Sequence, residues 1–146
     1  MRRTSRGFSY IELVIVIVIL GILAAIMMPN YIRMQERAKE GSTKVNMHTF
    51  QLAAEAYSAG NHGAYAPMAN AIAVLLPGAG DNFHNPFDHS TGDLNAWEDV
   101  ANFSPLMGTG SSLPGIVAYA DSATLQYVIA GHGASRALDL RLSSGR

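Results

Sequence analysis

The sequence predicts an α+β fold: one long N-terminal α-helix, apolar in its first half, packed by its second half on a small antiparallel β-sheet. Three observations carry this reading. Residues 8–28 form an unbroken apolar run apart from one acid. An amphipathic helical pattern continues from there to about residue 58. Short β-rich stretches with turn residues between them crowd the C-terminal end.

The run from Phe8 to Met28 has 21 residues. As a helix it is about 31 Å long, close to the hydrocarbon thickness of a bilayer. It is rich in Val and Ile, modest helix formers in water, but in lipid the unmet backbone hydrogen bonds enforce a helix. Its one strongly polar residue is Glu12. A carboxylate at the centre of a span costs about 2.5–3.5 kcal/mol on insertion scales, and less toward an end. Three readings meet this segment: a secretory signal peptide with Ala24-Ala25 near a cleavage point, a plain single-span anchor, and a helix whose end packs against identical helices. Glu12 fits the third best, because it calls for a cation from another chain.

After Pro29 the pattern turns amphipathic. Met34, Ala38, Gly41, Val45, Leu52 and Ala56 recur at helical spacing, and Met47, Phe50, Ala54 and Tyr57 form an adjoining stripe. Arg33, Glu36, Arg37, Lys39 and Glu40 fall mostly off that face. One helix over residues 8–58 is expected, about 75 Å at full extension, with the stripe buried in the head. Pro29 has no N–H for the Ala25 carbonyl, and with Gly21 it brackets a stretch able to kink or unwind.

Beyond the helix, Ala69–Leu76 reads as a short helix stopped by Pro77-Gly78. Residues 81–103 read as a polar, turn-rich loop, and residues 107–114 as a Gly/Ser-rich linker. Three strands follow: Gly115–Tyr119, Leu125–Ala130 with Leu125, Tyr127 and Ile129 on one face, and Leu138–Leu142. Loops of about five residues, 120–124 and 131–135, make them an antiparallel meander whose leucines face the helix.

The chain has 146 residues and net charge −1. Three of its ten bases, Arg2, Arg3 and Arg6, precede Gly7; the rest carries seven bases against eleven acids, or −4. That balance argues against a broad nucleic-acid-binding surface. There is no cysteine, so packing alone must hold a head of about 90 residues.

Gly7-Phe8-Ser9-Tyr10-Ile11-Glu12-Leu13, the apolar run and Pro29 together resemble the N-terminal signal of type IV pilins and type II secretion pseudopilins. A short basic leader, Gly-Phe at the junction, Glu four residues after Phe, and Pro ending the run all match; Tyr10 stands where a smaller residue is more usual. The resemblance covers about the first 31 residues and implies a pilin-like fold. It implies a leader of residues 1–7, a transmembrane and filament-core segment 8–29, an amphipathic half 30–58 and a globular head 59–146. It implies cleavage between Gly7 and Phe8 by a prepilin peptidase that also methylates the Phe8 amine. Glycine leaves the backbone there uncrowded. The leader would lie in the cytoplasm and the remainder outside the inner membrane.

On this resemblance the processed subunit is a homo-oligomer, built on an inner-membrane assembly platform into a type IV pilus-like filament or a short periplasmic pseudopilus. Glu12 would meet the Phe8 ammonium of a neighbour, which relieves the buried carboxylate and favours one axial register. The alternative is neutralisation of Glu12 within its own chain. Gly21 and Pro29 would mark the stretch that loses helicity in the filament. A membrane-tethered binding domain is a further reading.

No enzyme is expected, and no cofactor or metal. His84, Asp88 and His89 cluster without a standard zinc spacing. Major pseudopilins bind calcium in a C-terminal loop, but Asp121 and Asp139 stand isolated here. Ser111-Ser112 lacks a nucleophile elbow, and Asn61-His62-Gly63 is not a glycosylation acceptor.

Overall fold

The computed structural model describes residues 7–101, 103–104 and 108–144. The leader arginines and Met107, where the Gly/Ser-rich linker was to begin, lie outside the described residues. The chain divides into two units, Met1–Gln35 and Glu36–Arg146.

Helix α1 runs from Tyr10 to Gly60. In the first unit its side chains are almost all exposed, and the most apolar 18-residue window is 0% buried. Apolarity on every side of a helix suits a lipid or protein surround. The helix is unbroken through Gly21 and Pro29. Proline forfeits one backbone bond, and the intact turns on either side carry the helix across. Next to it, the Asn30 amide donates to the Ile26 carbonyl at 3.5 Å.

In the second unit, α1 is followed by α2 (Ala69–Ala73), a 3₁₀ turn (Pro77–Gly80) and four strands. These are β1 (Trp97–Asp99), β2 (Val117–Ser122), β3 (Gln126–Gly131) and β4 (Leu142–Ser143). The sheet order is β1-β2-β3-β4. β2–β3 and β3–β4 are antiparallel, and β1 lies parallel to β2 with Trp97 opposite Val117. A parallel neighbour needs a crossover of a dozen or more residues, which residues 100–116 supply.

The core lies between α1 and the sheet. Met47, Phe50 and Ala54 meet Val117, Tyr119, Tyr127 and Ile129, while Ile72, Leu76, Phe83 and Trp97 close one side. Rings interlock in tilted and edge-on pairs: Phe50–Phe83 at 5.9 Å, Phe83–Trp97 at 5.7 Å and Phe50–Tyr119 at 6.0 Å. The other face of the sheet, Ala118, Ala120, Val128 and Ala130, packs under Val100 and Phe103.

Several expectations are corrected. Of the two helix stripes, Met47, Phe50 and Ala54 enter the core, while Met34, Ala38, Gly41, Val45, Leu52 and Ala56 are exposed. Lys39 and Glu40, which fall off the Val45–Leu52 stripe, both hold loops. The Lys39 ammonium donates to the Phe87 carbonyl at 3.3 Å, and the Glu40 carboxylate accepts from the Ala134 N–H at 3.2 Å. The short helix ends at Ala73 rather than Leu76, and Pro77-Gly78 opens the 3₁₀ turn.

Residues 81–103 are not all loop, since they contain β1. β2 begins at Val117 and runs on to Ser122, so the hairpin turn is shorter than expected. Leu125 lies outside β3 and is exposed. The strand expected at 138–142 shrinks to Leu142–Ser143, because β3 offers β4 only Val128 and Ile129 as partners. Its leucines still face inward: Leu138 is buried, and Leu140 and Leu142 pack on the core.

Candidate processing and assembly site

The residues at the start of α1 settle its first turn locally. Gly7, Phe8 and Ser9 lie outside the helix. The Leu13 N–H donates to the Ser9 carbonyl at 3.3 Å, which makes Ser9 the N-cap. The Glu12 carboxylate reaches back and accepts the Ser9 N–H at 2.8 Å. Ser9-Tyr10-Ile11-Glu12 is thus a capping-box sequence with its Glu half formed. An acid in the first turn also meets the positive end of the helix dipole. The sequence leaves open a bond of Glu12 within its own chain, and the capping box names its donor: Ser-x-x-Glu before an apolar run is the recognisable signal.

The structure brings Gly7, Phe8 and Glu12 together at one helix end. Nothing lies within 4 Å of where a Cβ on Gly7 would sit, and Phe8 is exposed. The Gly7–Phe8 peptide therefore lies in non-helical, uncrowded chain just ahead of the cap. Gly21 and Pro29 sit farther along the helix and take no part in this end. In the conformation seen, Glu12 is held by its own chain through a single neutral N–H.

Among the described residues no group of three His, Asp or Glu side chains is placed to hold a metal. The His84 ring contacts the His89 carbonyl at 3.3 Å. Asp88 accepts from the backbone N–H and hydroxyl of Ser90, and these bonds hold its carboxyl below the usual range. Asp121 accepts from the Thr124 N–H in the hairpin turn.

The prokaryotic N-terminal methylation motif matches residues 2–28, the stretch that carries the Gly7–Phe8 junction, Glu12 and most of the apolar helix. The type IV major pilin protein PilA of Myxococcus xanthus is 33% identical over 110 residues, covering 75% of this chain and 47% of that protein. The chain is homologous to that type IV major pilin and to a type II secretion core protein. Type II secretion system core protein G of Pseudomonas aeruginosa is 37% identical over 75 residues, 51% of this chain and 52% of that protein. Core protein G of Escherichia coli is 34% identical over 64 residues, 42% of this chain and 44% of that protein. The chain spans about half the length of the curated relatives it matches. No solved structure matches it. One long N-terminal helix with a small, mostly antiparallel sheet is the pilin-like α+β arrangement that the homology leads one to expect.

Proposed function

We propose that this chain is a structural subunit rather than an enzyme: a prepilin that is processed and then polymerised through its N-terminal helix into a type IV pilus-like filament. The observation that carries this is the match of the methylation motif to a stretch that is an exposed helix, apolar except for Glu12, behind an accessible Gly-Phe junction. In this reading a prepilin peptidase cuts between Gly7 and Phe8 and methylates the Phe8 amine. Residues 8–29 hold the chain in the inner membrane, N-terminus in the cytoplasm, until the assembly platform draws it into the filament. Gly21 and Pro29 then form the point where the helix opens under packing or tension.

Glu12 links the two states. Alone, it caps its own helix through the Ser9 N–H. In the filament it exchanges that neutral donor for the ammonium of a neighbour's Phe8, a stronger charge-assisted bond in low dielectric. Glu12→Ala should stay membrane-bound yet give at least tenfold less filament in shear-and-pellet assays. Normal filament yield from this variant would sink the proposed pairing. Intact mass of the mature protein tests the processing: a chain beginning at methylated Phe8 is expected, and one beginning at Met1 or cut near Ala25 refutes it.

The second reading, a pseudopilin forming a short periplasmic pseudopilus, is favoured by the two matches to core protein G. Imaging of surface appendages separates the two, since only a pilus extends beyond the cell.

A further inference from the structure

We propose that neighbouring copies meet head to tail through two different faces of the second unit: the solvent face of α1 in one copy, and the α2 face in the next. This rests on the homopolymer reading above and names the contact between heads.

The first face is the stripe that stays out of the core. Val45 is 63% exposed and Leu52 72%. Seven residues apart, they lie about 20° from each other around the helix, and Ala54 of the core lies about 180° from Val45. Ala38, Gly41 and Ala56 share the exposed stripe. Gly41 sits inside the helix, where glycine costs about 1 kcal/mol relative to alanine. A Cβ there would meet nothing within 4 Å, so no contact within the chain offsets that cost. A bare backbone flanked by Val45 admits a close neighbour. Arg37 and Lys44 border the stripe on one side, with no acidic partner among the described residues.

The second face has the matching character. Met68, Val74 and Leu94 are large apolar side chains at least half exposed. Leu94 adopts φ 62, a conformation unfavourable for leucine. Asp93 holds it there: one carboxylate oxygen accepts the Leu94 N–H at 3.1 Å, the other the Asn70 amide at 3.0 Å. This fastens the turn beside α2. Asp99 accepts the Ala69 N–H at 2.8 Å at the start of the same helix. Asp93 thus stands beside Leu94 and Asp99 at the start of α2 next to Met68, neither with a cationic partner among the described residues.

Charge complements this pairing: an α1 face against an α2 face sets Arg37 and Lys44 against Asp93 and Asp99, and apolar against apolar. Such a contact leaves one free face on each copy and propagates as a filament when it does not close.

The chain lacks cysteine, so engineered thiols report cleanly. Val45→Cys and Leu94→Cys are made singly in the full-length chain, co-produced with the assembly machinery, and oxidised in sheared filaments. Mixed disulfide dimers, absent when either variant is alone, are the expected result. Filaments giving only Val45→Cys self-dimers, or no dimer, overturn this interface while leaving the assembly reading intact. No filament from the wild type overturns the assembly reading itself. Should a cysteine variant fail to assemble, Lys44→Glu decides: with an unchanged thermal transition it should lower pelleted filament at least fivefold, and an unchanged yield refutes the contact.

Discussion

Asn85 shows how a polar residue can organise a loop from within. It is fully buried. Its amide donates to the carbonyls of Asn95 at 3.0 Å and Pro114 at 2.8 Å, and its oxygen accepts the Phe87 N–H at 2.9 Å. Gly115 lies against it at φ 85, where any Cβ would collide with the Asn85 Oδ1 atom. Asn85→Ala should cost about 3 kcal/mol, because it strands three backbone groups at once. Asn85→Asp should be no milder, since it turns a carboxylate toward two carbonyls; denaturant titration of both variants checks this, and a loss under about 1 kcal/mol would show that water replaces the side chain. The tyrosines make a second residue-scale prediction. Burial raises the phenol pKa of Tyr119 above its ordinary value of 10.0, with Asp121 and Asp99 adding to it. Burial also raises that of Tyr127, helped by its 2.7 Å bond to Glu55. The unfolded chain then releases these protons first. Stability is therefore full below pH 10 and falls above it, by up to about 1.4 kcal/mol per pH unit for each tyrosine. A melting temperature that holds steady to pH 11.5 would contradict this, and Tyr127→Phe should make the decline shallower.

At the scale of elements, legibility followed the strength of each local signal. The long helix was plain, because its apolar run and its amphipathic continuation each exceed any strand. Which face it buries was not: Met47–Phe50–Ala54 and Val45–Leu52 are both apolar and lie on opposite sides, and only the sheet decides between them. β1 was invisible because three residues show no period, and Glu98 within it is buried with its carboxylate accepting the Ser111 N–H at 2.9 and 3.1 Å. Gly7, Phe8 and Glu12 stood out only by resemblance, while the Ser9–Glu12 cap was passed over because Glu12 was read as an intruder in a span rather than as the third residue of a helix. The β2–β3 hairpin departs most from its local preferences. Ala123 and Thr124 take φ 47 and 63, as a type I′ turn requires, and the Leu125 N–H closes it onto the Ser122 carbonyl at 3.0 Å. Asn-Gly is the favoured pair there, and β-branched Thr is among the worst. What offsets the strain is the Tyr65 N–H, which donates to the Thr124 carbonyl at 2.8 Å. Because that bond uses backbone alone, Thr124→Gly keeps it and should gain roughly 0.5–1 kcal/mol. A lower melting temperature for this variant would mean that the threonine side chain supports the turn.

For the whole molecule, the division into two units predicts separable behaviour. Every residue of the main core, from Met47 to Leu138, lies in the second unit, as do all the strands. The bonds of Lys39 to Phe87 and Glu40 to Ala134 also fall within it, so the helix from residue 36 onward keeps its anchors. The first unit contributes an apolar helix that buries none of its most hydrophobic window. A chain starting at Glu36 should therefore fold, with helical and sheet signals in circular dichroism and a cooperative melt. It should elute as a soluble monomer at low concentration, whereas the full chain should need membrane or detergent. Val45 and Leu52 remain exposed in both, so weak self-association at high concentration is expected of the shorter chain, and Lys44→Glu should reduce it in light scattering. Failure of the shorter chain to melt cooperatively would mean that residues 10–35 stabilise the head, and the two units would then have to be treated as one folding body.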